Sequence, residues 1–364
     1  DGAITQIFTE EGLVGIGEGS PYEDPARIKE YTETHIRPLL IGKNPFDVEA
    51  LCNRGNESRR SRAPWAGVDV ACWDLIGKAV GKPVYELLCT EGTPRRQIAI
   101  YASGGVEHAW YENGAEMLIE EALRHREAGY DAFKFRPGTD WQAAGMTLEK
   151  YAPILERLRD AVGPEFRLMH EGLGMSLGSL EAIISDFAPL LETLDFYWFE
   201  EAFGGTNIDH IDLFIRLKEA MPTVRVSGGE RFRERFEAQV WLDREALDIV
   251  QTDCNVTGLT ENWYIARMAH LRGMSLIPHN WHGGGTTMAN AHLVAAIANG
   301  EYCELNQTYN PLKEDIFKEP LTVENGVMTL PDRPGLGVEL IDDVEERFPF
   351  QPGPYQKPNR RVES

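Results

Sequence analysis

Trp198-Phe199-Glu200-Glu201 and, one repeat later, Ser227-Gly228-Gly229-Glu230 set the frame for the chain, because each places a carboxylate directly after a short buried strand. The same unit recurs: a short apolar strand ends in a polar cluster, and an amphipathic helix follows. Strand candidates fall at 98–102, 132–136, 166–171, 196–200, 224–230, 249–253, 275–279 and 302–305. Helical stretches lie between them at 115–128, 148–162, 180–194, 208–221, 234–247, 260–272 and 288–298. Gly129, Gly163, Pro222, Gly273 and Gly300 stand at helix ends, where helix-stopping residues belong. Alternating β and α at this spacing implies a parallel sheet, and eight strands favour a closed barrel over an open sheet. Ile249-Val250 and Leu276-Ile277 read as strands buried on both faces.

Outward from this repeat, the first part of the chain reads as a mixed α+β unit. Strands are expected at 3–9 and 13–18, joined by the turn Glu10-Glu11-Gly12. Helices are expected at 25–40 and 66–79, the second carrying Val68, Ala71, Cys72, Leu75, Ile76 and Ala79 at helical spacing. The tail after Leu305 is rich in Pro and Gly, with a hairpin about Glu324-Asn325-Gly326. The predicted fold is α/β, a modified (β/α) TIM barrel with an α+β capping domain. Residues 1–97 form the N-terminal cap, 98–320 the barrel, and 321–364 a C-terminal segment returning to the cap. A chain of 364 residues suits one barrel plus a smaller domain.

The formal net charge of −22 repels phosphate backbones and excludes nucleic acid as a natural partner. It does not exclude an anionic substrate, because a metal and local cations dominate the field inside a cleft. No run approaches the roughly 18 uncharged apolar residues of a membrane span, and no charged-then-apolar leader is seen. A soluble, cytoplasmic protein is expected. The five cysteines Cys52, Cys72, Cys89, Cys254 and Cys303 are odd in number and lack CxxC spacing, so they read as buried free thiols of a reducing compartment.

Barrel active sites lie at the C-terminal ends of the strands. The strands here end in Lys134 and Arg136, then Glu171, Glu200, Glu230, Asp253, His279 and Glu304. From Glu171 onward the steps are 29, 30, 23, 26 and 25 residues, each about one β/α unit, so the ionisable groups converge on one mouth. Three carboxylates on consecutive strands cannot all ionise side by side without a counter-charge. A hard divalent cation, Mg²⁺, held by Glu171, Glu200 and Glu230 supplies it. Asp253 ends the strand before His279 and can fix the tautomer of the imidazole and raise its basicity, which makes His279 a general base. Lys134 and Arg136, two apart on one strand, both face the interior across from His279. They can hold a substrate carboxylate or an enediolate, but Arg136 stays protonated and cannot abstract a proton. His170 and His282, also near strand ends, read as structural or supporting.

Two further segments, Gly15-Ile16-Gly17-Glu18-Gly19 and Gly67-Val68-Asp69-Val70-Ala71-Cys72-Trp73-Asp74-Leu75-Ile76-Gly77-Lys78, together with the ordered barrel series, make the chain resemble the enolase superfamily. Within it the likeness is to the mandelate racemase-like subgroup, of acid-sugar dehydratase type, and it covers nearly the whole chain. The resemblance implies a capped barrel, an essential Mg²⁺, and abstraction of the proton α to a carboxylate. By position, Glu171, Glu200 and Glu230 match the metal ligands, and Asp253 and His279 the His–Asp dyad. Glu304 matches the acid that supports the enolate oxygen, a role that needs it protonated. It implies substrate loops at 20–23 and 53–65, where Arg59, Arg60 and Arg62 can face an anionic or hydroxylated substrate, and a homo-oligomer.

Two departures bear on the reaction. The usual Lys-x-Lys of the second strand is Lys134-Phe135-Arg136, which removes the second base. The usual Asp-x-Asn is His170-Glu171-Gly172, which leaves Glu171 or His170 as the first ligand. One-base dehydration follows as the expectation: a Mg²⁺-dependent hydro-lyase converts an aldonate or aldarate, a small-molecule sugar acid, to a 2-keto-3-deoxy acid. The rival expectations are a racemase or epimerase of a 2-hydroxy or amino acid, and a non-catalytic sugar-acid binding member.

Overall fold

Gly15, Gly17 and Gly19 decide how the first domain is built. They lie on and just past strand β2 (Val14–Glu18), which pairs antiparallel with β1 (Ile4–Phe8). A Cβ at these glycines would come 2.3 Å from the Ala71 carbonyl oxygen, 2.1 Å from that of Gly67 and 1.9 Å from that of Ala63. The two-residue period of the strand therefore runs along the four-residue period of helix Arg59–Val80, backbone against backbone. The other face of that helix buries Trp65, Val68, Cys72 and Ile76 with Ile36, Val48 and Cys52 in a small separate core. The computed structural model describes residues 2–19, 24–52, 59–105, 114–137, 141, 144–172 and 175–350. The expected substrate loops at 20–23 and 53–58, and the side chains of Arg59, Arg60 and Arg62, lie outside the described residues.

The barrel strands are β3 (Gln97–Gly104), β4 (Ala132–Phe135), β5 (Arg167–Glu171), β6 (Trp198–Glu200), β7 (Arg225–Gly228), β8 (Ile249–Val250), β9 (Ser275–Leu276) and β10 (Tyr302–Asn306). Each pairs parallel with the next from β3 to β9. β10 pairs parallel with β3, and a single bridge, Leu276↔Gly300, closes the ring. Alternate residues divide between two layers. Tyr101, Ala132, Met169, Trp198, Ile249, Ile277 and Tyr302 fill the barrel interior. Phe133, Phe135, Leu168, Phe199, Val226, Val250 and Cys303 pack outward against the helices. Two residues beyond an interior apolar group the strand faces the mouth, which is how Ala132 leads to Lys134, Met169 to Glu171, Trp198 to Glu200, Ile277 to His279 and Tyr302 to Glu304.

Two barrel helices start well before their apolar periodicity indicates, as does the cap helix, which opens at Arg59 rather than 66. Helix Cys254–His270 begins at once after Asp253, whose side chain caps it by accepting from the Asn255 N–H, and it kinks at Gly258 (φ 76°). Helix Gly284–Ala296 begins four residues before the expected 288, inside a glycine run. In both cases a buried carboxylate, not helix propensity, sets the start. The tail divides its contacts. Its hairpin, β11 (Val323–Glu324) and β12 (Val327–Thr329), adds antiparallel to β3 of the barrel, while Gly335 and Leu336 meet the cap helix at Asp74. None of the five cysteines is in a disulfide; Cys52, Cys72, Cys254 and Cys303 are buried, and Cys89 is partly exposed. Among the described residues no helix is long and apolar enough to cross a membrane.

One buried contact ties the cap, the barrel and the tail together. His292 Nδ1 accepts from the Tyr85 N–H (3.0 Å) and its Nε2–H donates to the Leu336 carbonyl (3.0 Å). That arrangement requires the neutral ring, and burial lowers its pKa from 6.5 to about 4. The unfolded chain binds this proton more readily, so His292 costs stability as pH falls through 6.5 towards 4, a span worth roughly 3 kcal/mol. Urea unfolding between pH 7 and 4 is expected to show a smaller loss of stability for His292→Gln than for wild type, by about one bound proton in the slope. An unchanged slope would remove His292 from this account.

Candidate active site

The mouth is built from side chains that strand alternation delivers and that then hold one another. The Lys134 ammonium, 1% exposed, lies 2.6 Å from Glu200 Oε1 and 2.8 Å from Glu304 Oε1. Burial alone would lower the lysine pKa, but these two carboxylates raise it well above its usual value, so Lys134 is a fixed positive charge. Glu200 is completed by Gln251 Nε2–H (2.6 Å) and Trp198 Nε1–H (3.2 Å), both donating to Oε2. Gln251 escaped the sequence reading, which weighed ionisable strand ends only. Its signal was its position two residues after the interior Ile249.

Glu171 rather than His170 faces the mouth. His170 lies in the outer layer among Phe135, Phe187, Phe196 and Phe199, with Nε2 2.9 Å from the Tyr151 hydroxyl. Burial lowers its pKa to about 3 and keeps the ring neutral. Glu171 is buried, and among the described residues none donates a hydrogen bond to it. Burial raises its pKa to about 7, with Arg136 and Lys134 opposing and Glu200 and Glu230 adding to the rise. Glu201 takes a left-handed backbone turn (φ 43°) instead of continuing the strand, and among the described residues neither of its buried oxygens is hydrogen-bonded. Burial, with Glu230 next, raises its carboxyl well above the usual range.

The dyad is formed. His279 Nδ1–H donates to Asp253 Oδ2 (2.9 Å), and His279 Nε2 lies 3.2 Å from Glu230 Oε2. Burial would lower the imidazole pKa, but Glu230, the Asp253 hydrogen bond and Glu304 push it up to about 10. His282 joins the dyad, with Nε2 2.8 Å from the same Asp253 oxygen. Burial would raise the Asp253 carboxyl, yet His282 and the two histidine hydrogen bonds hold it well below its usual range.

Glu304 is ringed by hydrogen-bond donors. The resemblance requires a protonated donor, whereas this carboxylate accepts from the Asn280 backbone N–H (2.6 Å) and Trp281 Nε1–H (3.1 Å) as well as from Lys134. Burial favours protonation, but Lys134 and His279 outweigh it and hold the pKa below the usual value. Glu304 thus meets Lys134 as an acceptor at 2.8 Å. Arg136, half-buried, lays its guanidinium 5.6 Å from the Trp281 ring, with Nε buried and unbonded among the described residues.

The residues present fit a hard divalent cation. Glu171, Glu200 and Glu230 stand on three successive strand ends, all oxygen donors. Burial raises the Glu171 pKa, and Glu200 and Glu230 add to the rise, so a cation among the three would favour its ionised form. Among the described residues, ligand-type atoms come within 4.8 Å of one another in Asp253, His279 and His282. There, however, both rings are hydrogen-bonded to one oxygen, which is the geometry of an oriented base.

Residues 2–89 match the N-terminal domain of the mandelate racemase / muconate lactonizing enzyme family, and residues 117–344 match the enolase C-terminal domain-like family. The chain is 32% identical to the arabinonate dehydratase of Saccharolobus solfataricus, across 94% of this chain and 89% of that protein. It is 29% identical to the D-galactarolactone cycloisomerase of Agrobacterium fabrum, across 95% and 90%. Other curated relatives, 25–27% identical, are named as dehydratases of D-xylonate, D-mannonate and D-gluconate. The crystal structure of the 3,6-anhydro-D-galactonate cycloisomerase of Zobellia galactanivorans superposes with a TM-score of 0.81 at 30% identity, covering 95% of this chain and 93% of that one. The two family matches span the cap and the barrel, and the chain belongs to the enolase superfamily, in its mandelate racemase-like branch of acid-sugar dehydratase type.

Proposed function

We propose that this protein is a Mg²⁺-dependent hydro-lyase that converts an aldonate or aldarate to a 2-keto-3-deoxy acid. The observation that carries the reading is the Asp253–His279 dyad set against the three glutamates and Lys134 in one barrel mouth. Glu171, Glu200 and Glu230 would hold the cation. When bound, Mg²⁺ supplies Lewis-acid stabilisation of charge on the substrate carboxylate and offsets the charge of Glu230 beside the imidazole.

Asp253 keeps the proton of His279 on Nδ1, which leaves Nε2 as the basic nitrogen. Nε2 takes the proton from the carbon α to the carboxylate, and the C–H electron pair moves into an enediolate. Lys134 and Arg136, both permanently charged, stabilise the developing negative charge. The enediolate expels the β-hydroxyl, which leaves as water with the proton returned by the His279 imidazolium, and the resulting enol tautomerises to the keto acid. Arg136 cannot serve as a base on the opposite face, so the substrate has no route to inversion at that carbon. The names of the relatives cover cycloisomerisation of a sugar-acid lactone as well as dehydration of sugar acids, so isomerisation of a lactone without loss of water is the second outcome to read.

A panel of aldonic and aldaric acids incubated with the enzyme is expected to give keto acid from at least one member, with activity lost in EDTA and restored by Mg²⁺. Unchanged substrate throughout, despite binding, would make the protein a non-catalytic member. His279→Asn is expected to abolish turnover while Mg²⁺ still binds, and a variant with near-normal rate would overturn the mechanism. Substrate recovered from D₂O at partial conversion is expected to keep its configuration at the α-carbon. Inversion there without keto acid would identify a racemase or epimerase.

A further inference from the structure

Three buried carboxylates of the cap bond backbone N–H groups outside their own elements, and two of them reach the helices that carry the dyad. Glu18, at the end of β2 and 3% exposed, accepts from the Gly283 N–H (2.9 Å) and the Thr286 N–H (3.0 Å). These groups open helix Gly284–Ala296, directly after the His279–His282 segment. The fit is close on both sides: a Cβ at Gly283 would lie 2.8 Å from the Glu18 carboxylate oxygens, and one at Gly285 would lie 3.0 Å from its Cβ. Asp69, 2% exposed in the cap helix, accepts from the Leu259 N–H (2.6 Å), the Thr260 N–H (2.9 Å) and the Thr260 hydroxyl (2.5 Å). It restarts the helix after the Gly258 kink, one turn beyond Asp253. The third carboxylate, Asp74, accepts from the Ile16 and Leu336 N–H groups and pairs with Lys78; it bonds neither helix start, and Leu336 meets helix Gly284–Ala296 only at His292, eight residues beyond the Glu18 cap.

The helix that Glu18 caps in turn holds the dyad backbone. Asn290 Nδ2–H donates to the His279 carbonyl (3.1 Å), and its Oδ1 accepts from the N–H of Cys254, the residue after Asp253 (3.3 Å). Asn255 Nδ2–H donates to Thr286 Oγ1 (2.6 Å), and Asn280 Nδ2–H to Thr287 Oγ1 (2.9 Å), so the two helix starts are bonded to each other and to the strand end. A shift at the Glu18 cap therefore moves both members of the dyad. Carboxylates at helix N-termini satisfy N–H groups that would otherwise be orphaned and complement the positive end of the helix dipole.

We infer that Glu18 and Asp69 are positioning residues for the Asp253–His279 dyad, through which docking of the capping domain sets the alignment of the base. Neither touches the reacting atoms. The inference rests on His279 acting as the base, as proposed above. It gives the cap a part in proton abstraction that is separate from its substrate loops.

The test compares Glu18→Gln and Asp69→Asn with Asp74→Asn and His279→Asn, as full-length Mg²⁺-loaded enzyme, on the best substrate of the panel and at a temperature where all are folded. An amide oxygen accepts from fewer N–H groups than a carboxylate, so each dyad-linked variant is expected to lose ~10- to 100-fold in kcat through misalignment. KM and Mg²⁺ affinity should stay near wild type. Amide hydrogen exchange should speed up at 283–287 in Glu18→Gln and at 259–260 in Asp69→Asn. Asp74→Asn removes comparable buried hydrogen bonds and is expected to lower the melting temperature while folded enzyme keeps wild-type kcat. Should Glu18→Gln not fold, Glu18→Asp, shorter by one methylene, is expected to show the same selective fall. Wild-type kcat in the dyad-linked variants, or an equal loss in Asp74→Asn, overturns the inference. Turnover by His279→Asn would instead overturn the mechanism beneath it.

Discussion

The structure depends on how the barrel mouth balances its charge. Strand alternation forces Glu171, Glu200, Glu230, Asp253 and Glu304 towards one opening, and all but Glu230 are at least nine-tenths buried. Lys134 neutralises part of this by contacting Glu200 and Glu304 together, and His279 takes a share between Asp253 and Glu230. Removing one partner of such a buried pair leaves an uncompensated charge, at a cost of about 3–5 kcal/mol. At Glu171 burial, with Glu200 and Glu230 adding to it, outweighs Arg136 and Lys134 and raises the carboxyl to about 7. The site is thus arranged around a missing positive charge beside three oxygen donors, and a divalent cation fits there better than a further side chain would.

The same balance suits the mouth to the binding and the reaction proposed for it. A carboxylate substrate entering an acidic cleft needs fixed cations, and Lys134 is held as one by its own anionic neighbours. A base needs an oriented lone pair, and Asp253 supplies orientation by holding Nδ1. Asp253 itself is shared by His282 and caps the helix that follows it, so its two oxygens are fully used. The proposed dyad is consequently also a piece of scaffold, bonded to the helix behind it, and Glu18 and Asp69 of the cap bond the two helices that follow its members.

Much of this was legible in the chain, because two periodicities superimpose. Steps of 23 to 30 residues place strand ends, and a step of two within each strand places side chains in the mouth. The choice between His170 and Glu171 could not be made from the strand ending alone. It follows once Met169 is seen in the interior layer, since Glu171 shares its face and His170 does not. The donors around Glu304 were illegible because they come from Lys134, 170 positions away in sequence, and from Trp281 of the neighbouring loop. The early start of helix Gly284–Ala296 was hidden for a similar reason: its glycine run argues against a helix locally, and Glu18 supplies the cap from 265 residues upstream. The glycines at 15, 17, 19 and 67 were readable as a motif, but the interlocking of strand with helix that requires them was not.

The central claim, that the three glutamates form a ligand set short of one positive charge, is tested most directly by Mg²⁺ titration calorimetry at pH 7 in buffers of different ionisation enthalpy. The account predicts binding of one Mg²⁺ coupled to release of about one proton, because Glu171 and His279 both carry raised pKa values that a cation at Glu171, Glu200 and Glu230 would lower. Binding without proton release, or no binding while the protein remains folded, would contradict it.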